Sequence, residues 1–179
     1  RRLSVLQLDA HGDLRDSWEG TKFSHACAMR RVVDAADLVQ VGIRAIAREE
    51  KAVMRRYGVT TVFAEEMDGD EAWIDRAIGA LGRDVYLTID IDYFDPSLVP
   101  STGTPEPGGG TWYPTIRLLE RLFRARHVVA ADVVELAPIP GLTAPDFLAA
   151  KLAYKLIGFH ARSRRGARPV NPIDAKRGR

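Results

Sequence analysis

The chain has 179 residues, 46% of them hydrophobic, enough for one domain with a sizeable core and not obviously for two. A single cysteine, Cys27, excludes an intrachain disulfide, and no apolar run is long enough for a membrane span or signal peptide, so a soluble cytoplasmic protein is expected. The net charge of +2 is uneven: Arg162 to Arg179 holds seven Lys or Arg and one Asp, which leaves −4 on the rest. That stretch of Arg, Gly and Pro has no aromatic residue. Residues 161–179 therefore read as a disordered basic tail behind a domain of residues 1–160, not as a nucleic-acid surface.

Leu3 to Leu8 is an apolar, β-prone run that ends in Asp9-Ala10-His11-Gly12-Asp13. Residues 24–36 carry good helix formers, with Ser24 placed as a cap. Strand character returns at Leu38 to Ile43. From Ile46 to Tyr57 apolar residues recur at helical spacing, and Gly58 is a natural stop. Thr60 to Ala64 is the next strand, and Glu71 to Leu81 the next helix, with Trp73, Ile74, Ala77, Ile78 and Leu81 on one face. The run from Asp84 to Asp92 follows. After a loop rich in glycine and proline come a helix over Trp112 to Arg126, a buried strand over Val128 to Leu136 and an amphipathic helix over Phe147 to Ile157. Strands alternating with helices predict an α/β fold of three layers, helices on both faces of a mainly parallel sheet, because parallel neighbours need crossover connections.

Val85 to Ile89 is a near-continuous β-prone run that stops at two carboxylates, Asp90 and Asp92. Side chains two apart on a strand share a face, so two negative charges would sit together at the sheet's carboxyl edge and call for a cation. Taken alone, the Asp-x-Asp also fits one aspartate capping the next turn while the other is solvated, or a glycosyltransferase's metal site. The second of these leaves Asp9, His11 and Asp13 without a role. Ligands collect beyond the carboxyl ends of parallel strands, and there the first strand supplies Asp9, His11 and Asp13, the fourth Asp90 and Asp92, and the fifth Glu135. Clustered carboxylates with a minority of imidazole favour Mn²⁺ or Mg²⁺ over a thiolate zinc site.

These residues resemble the ureohydrolases, the family of agmatinase, arginase and their relatives. Asp9-Ala10-His11-Gly12-Asp13 looks like one family signature, and Thr88 to Pro96 followed by Pro100 to Gly109 looks like a second. Val41-Gly42-Ile43-Arg44 and Asp132-Val133-Val134-Glu135 also match, so the resemblance runs from about Leu3 to Ile157. It implies an arginase-like fold and two Mn²⁺ ions per subunit: Asp9 and Asp90 bridging, Asp13 completing one shell, His11 with Asp92 the other. Glu135 would face the substrate guanidinium, and His25 would shuttle a proton to the leaving amine. The implied reaction is attack of metal-bridging hydroxide on a small guanidino substrate, agmatine to putrescine and urea first, with guanidinobutyrase, arginase or other ureohydrolase specificity as alternatives. The resemblance also implies homo-oligomeric rings of three or six. The family's further histidine ligand, in a Gly-Gly-Asp-His segment upstream of the first signature, has no counterpart after Arg1. The expectation is a fragment of a longer enzyme, with an inactive truncated metal-binding relative as the alternative.

Overall fold

Apolar side chains at alternate positions decide how the sheet is built. The computed structural model describes residues 2–166. In it β1 (Ser4–Leu8), β2 (Asp37–Ile43), β3 (Thr60–Phe63), β4 (Asp84–Asp90) and β5 (His127–Val134) form one sheet in the order β3-β2-β1-β4-β5. Every pairing is parallel. Helices α1 (Ala28–Val32) and α2 (Arg48–Tyr57) pack on one face against Val5, Leu38 and Ile43. Helices α3 (Ala72–Ala80), α4 (Trp112–Ala125) and α5 (Ala144–Gly166) pack on the other, over Leu6, Leu8, Val41, Leu87 and Ile89. The sheet is built outward from its centre in both directions, β1 to β3 one way and β4 to β5 the other. Right-handed crossovers then place the helices on opposite faces. The expected three-layer α/β/α arrangement with a parallel sheet is what the chain adopts.

Most elements lie within a few residues of their expected limits, and the departures have local causes. Helix α2 stops where Gly58 takes the left-handed conformation at φ 65°. The helix expected over residues 24–36 shrinks to a 3₁₀ turn, His25–Cys27, and the five residues of α1. The Ala26 carbonyl accepts from Arg15 N at 3.2 Å and Arg30 N donates to the Asp13 carbonyl at 3.0 Å, so the loop after β1 takes both groups of one intrahelical bond. Ser24 stands at the cap position but makes no side-chain cap bond.

Strand β4 ends at Asp90, and Asp92 lies in a 3₁₀ turn, Ile91–Tyr93, not on the strand. The turn begins because Asp90 Oδ1 accepts from Asp92 N at 2.9 Å. Strand β5 was expected to be buried, yet within it only Val128 is, while Val129 and Val134 are 45% and 41% exposed. It is an edge strand, and α1 and α2 cover the other half of the sheet. Helix α5 continues through Gly166, into the stretch read as a basic tail; residues 167–179 lie outside the described residues. Among the described residues no helix is long and apolar enough to cross a membrane.

Candidate metal centre

The crevice between β1 and β4 is where successive strands leave in opposite directions, the place where open parallel sheets form ligand sites. Asp9 follows β1 directly and Asp92 lies two residues beyond β4. One ligand atom each from Asp9, His11 and Asp92 falls within 4.8 Å of the others. Asp9 and Asp92 are almost fully buried, 3% and 2% exposed, so their carboxylates have little water to solvate them. His11 Nδ1 is 2.9 Å from Asp92 Oδ2 and 3.6 Å from Asp9 Oδ1.

Backbone groups hold the carboxylates in register. Ala10 N donates to Asp92 Oδ1 at 3.0 Å, tying the two strand ends together, and His11 N donates to Asp9 Oδ1 at 2.6 Å. Thr104 Oγ1, from the glycine- and proline-rich loop, donates to Asp92 Oδ2 at 3.4 Å. Arg44 braces the same region from behind. Its guanidinium donates to the Asp92 carbonyl at 2.8 Å and the Glu106 carbonyl at 2.9 Å, with longer bonds to the carbonyls of Gly42, Tyr93 and Phe94. Glu50, buried at the start of α2, accepts from Leu14 N at 2.8 Å and from Ala47 N at 2.7 Å, and so anchors the loop that carries Asp13.

Charge crowding is recorded in the acidities. Burial pushes Asp90 up to about 9, with Asp9 and Asp92 adding to it, and pushes Asp13 up to about 8, with the Asp9 charge adding. Burial also raises Asp9. His11 is held up at about 10 by its contacts with Asp9 and Asp92. Burial works against the Asp92 charge, but the bonds from His11 and Ala10 N outweigh it and hold Asp92 below the usual carboxylate range. Carboxyls raised as far as Asp13 and Asp90 are ones a divalent cation would relieve.

The structure thus brings Asp9, His11 and Asp92 into one group, with Asp13 and Asp90 close enough to feel their charges. His25 is exposed at the head of its 3₁₀ turn, and Glu135 is exposed one residue past β5 with φ 63°. No hydrogen bond or ion pair among the described residues joins either side chain to the carboxylates. A cavity of about 340 Å³ opens beside the group, lined in part by His11, Asp13, Arg15, Glu50 and Glu106. Sequence reasoning assigned no role to Arg44, Glu50 or Thr104, and passed over two glutamines beneath Asp9. Gln7 and Gln40 interrupt otherwise apolar strands, and that interruption was the available signal.

A parallel α/β sheet with two buried aspartates and a histidine at its switch point defines a class, the α/β proteins able to hold a divalent ion at their strand ends. The comparisons narrow it: the Arginase family model matches residues 1–158, and the chain belongs to that family. It is 44% identical over 164 residues to an N(1)-aminopropylagmatine ureohydrolase of Synechocystis, covering 90% of this chain and 54% of that protein. An agmatinase of Pyrococcus horikoshii is 39% identical over 160 residues, with coverages of 89% and 56%. Among solved structures, the agmatine ureohydrolase of Thermoplasma volcanium superimposes with a TM-score of 0.81 at 31% identity, covering 93% of this chain and 58% of that one. The chain spans about half the length of the relatives it matches. The expected ureohydrolase relationship and arginase-like fold both hold.

Proposed function

We propose that this chain forms the metal-holding part of a ureohydrolase that cleaves an agmatine-type guanidine, agmatine or its N1-aminopropyl derivative, to urea and an amine. The observation that carries the reading is the buried Asp9–His11–Asp92 group at the switch point. Its donors are oxygen and imidazole, with no thiolate, which suits Mn²⁺, and the raised Asp13 and Asp90 mark where further positive charge is wanted. Asp9 and Asp90 would be shared between two ions, Asp13 would serve one, and His11 with Asp92 the other. Bound Mn²⁺ would supply Lewis acidity and an acidified water able to act near neutral pH.

The remaining chemistry belongs to the protein. Glu135 pairs its carboxylate with the planar, fork-like donors of the guanidinium. His25, exposed at the head of its 3₁₀ turn, passes a proton to the departing amine nitrogen, a task suited to an imidazole. The −4 charge of the body attracts a cationic substrate. Ser24-His25-Ala26 and Thr104 to Gly109 support an agmatine-type substrate over arginine, as do relatives named for agmatine and aminopropylagmatine. A ring of three or six copies is part of the same proposal, and sedimentation measures it. The deciding experiment is urea release with added Mn²⁺ from agmatine, N1-aminopropylagmatine, arginine and 4-guanidinobutyrate. The two agmatine-type substrates should lead; no urea from any of the four sinks the proposal.

A further inference from the structure

Beneath the carboxylates, four polar side chains lie at one register across the sheet. Gln7 of β1 is level with Gln40 of β2 and with Thr88 of β4, and Thr88 is level with Asp132 of β5. Thr88 Oγ1 donates to Asp132 Oδ1 at 2.7 Å, and the Tyr86 hydroxyl donates to Asp132 Oδ2. On the other side of the row Gln7 and Gln40 are 1% and 0% exposed, in a layer where apolar side chains would fold the sheet at less cost.

Their hydrogen bonds run in one direction. Gln40 Nε2 donates to the Gly12 carbonyl at 2.8 Å and to Gln7 Oε1 at 2.6 Å. Gln7 Nε2 in turn donates to Asp9 Oδ2 at 2.7 Å and, more weakly, to the His11 carbonyl at 3.4 Å. Turning the Gln40 amide over would set its oxygen against two acceptors, the Gly12 carbonyl and Gln7 Oε1. Its orientation is therefore fixed, although Gln40 Oε1 is left buried without a partner. Once Gln40 is fixed Gln7 is fixed too, with its N–H directed at Asp9.

We infer that Gln7, oriented by Gln40, is a positioning residue for Asp9: it clamps one carboxylate oxygen while His11 N clamps the other. Each oxygen then keeps a lone pair for a cation, and the carboxylate cannot rotate. The inference rests on the metal reading given above. It accounts for two amides buried where apolar side chains would fold the sheet at less cost, one of them with its oxygen unpaired. Outer partners that orient a ligand commonly change metal affinity on mutation by about 10–100-fold.

The test compares the parent chain with Gln7→Met and Gln40→Met, apolar replacements of similar length. Calorimetric titration with Mn²⁺ alone gives stoichiometry and affinity, electron paramagnetic resonance of the loaded protein reports the coupling between ions, and metal-free thermal melts report the fold. Gln7→Met should weaken Mn²⁺ binding about 10–100-fold and alter the spin-coupled spectrum while the metal-free melt stays close to the parent's. Gln40→Met should move both metal readouts in the same direction by less, and it carries the test if Gln7→Met does not fold. If the parent binds two ions and the folded variants match it in affinity and spectrum, the positioning role is overturned and the metal reading stands. If the parent binds no Mn²⁺, both fall.

Discussion

Replacing Arg44 by methionine removes the guanidinium that holds the back of the Asp92 turn and leaves a side chain of similar reach. Two of its bonds are short, 2.8 Å to the Asp92 carbonyl and 2.9 Å to the Glu106 carbonyl; the others, at 3.1–3.4 Å, add less. A hydrogen bond from a charged donor contributes about 1.5–3 kcal/mol. Because Arg44 is only partly buried, the lower figure applies to each short bond, and the loss is about 3 kcal/mol. For a chain of this size that lowers Tm by about 6–12 °C. The consequence extends beyond stability: an added Cβ on Gly109 would stand only 2.9 Å from Arg44 Cζ, so the loop carrying Thr104 and Glu106 rests directly on the guanidinium. Urea unfolding of metal-free protein measures the first effect and Mn²⁺ titration the second, where a drop of about 10-fold or more is expected. Arg44→Lys, able to reach one carbonyl at a time, should fall between the two. An Arg44→Met protein within about 0.5 kcal/mol of the parent, the ordinary range for a surface substitution, and with unchanged Mn²⁺ affinity, would refute the bracing role.

The acidities set a pH dependence. Asp13 at about 8, Asp90 at about 9 and His11 at about 10 are all raised from 3.8, 3.8 and 6.5, so each favours the protonated fold; the stabilisation is full below those unfolded values and is lost progressively as pH climbs to about 8, 9 and 10 respectively. Metal-free Tm should fall from pH 7 to pH 10, while apparent Mn²⁺ affinity rises over the same window because ions compete with fewer protons; a metal-free Tm that rises there contradicts the assignment. At a hundredfold excess over Kd, one bound ion adds about 2.7 kcal/mol, or about 5–11 °C in Tm. Gly110→Ala would drive a Cβ into the ring of Tyr93, which is wholly buried and cannot yield, so overpacking should cost about 1–3 kcal/mol in urea unfolding. Glu135→Gly relieves a left-handed backbone at φ 63° and should stabilise the metal-free protein by about 1 kcal/mol while abolishing urea release; destabilisation would show that the carboxylate serves the fold.

The carboxylate-bearing loops were legible in the sequence because apolar runs ending in carboxylates carry their own register: Asp9 must follow β1 and Asp90 must end β4. The alternation rule misplaced Asp92, however. It shares no strand face with Asp90, since Asp90 caps the turn that contains it, and Asp92 reaches His11 from a 3₁₀ turn. One aspartate capping the turn was the plainer of the two readings, and it coexists with Asp92 lying beside Asp9 and His11. The shortened α1 was invisible for a different reason. Arg15 and Asp13 take its backbone partners across a loop, and propensity contains no term for such bonds. The burial expected of β5 failed because an apolar strand pattern does not report whether a helix lies over it.

Three departures from what folding alone would select lie at or beneath the carboxyl edge of the sheet, on β1, β2, β4 and β5 and the loops that follow them. Asp13 and Glu135 hold left-handed backbone at φ 53° and 63°, where glycine would be relaxed. Gln40 buries an oxygen without a partner. Burial, with neighbouring carboxylates adding to it, raises Asp9, Asp13 and Asp90, the last two to about 8 and 9. Helices α4 and α2 meet their local preferences: Leu118, Leu119 and Leu122 lie fully buried along α4, and Gly58 ends α2 where a left-handed residue is required. Where such costs gather around one group of carboxylates, a second constraint acts beside the fold. The proposed cation at the switch point would neutralise the carboxylates and give the clamped Asp9 its purpose.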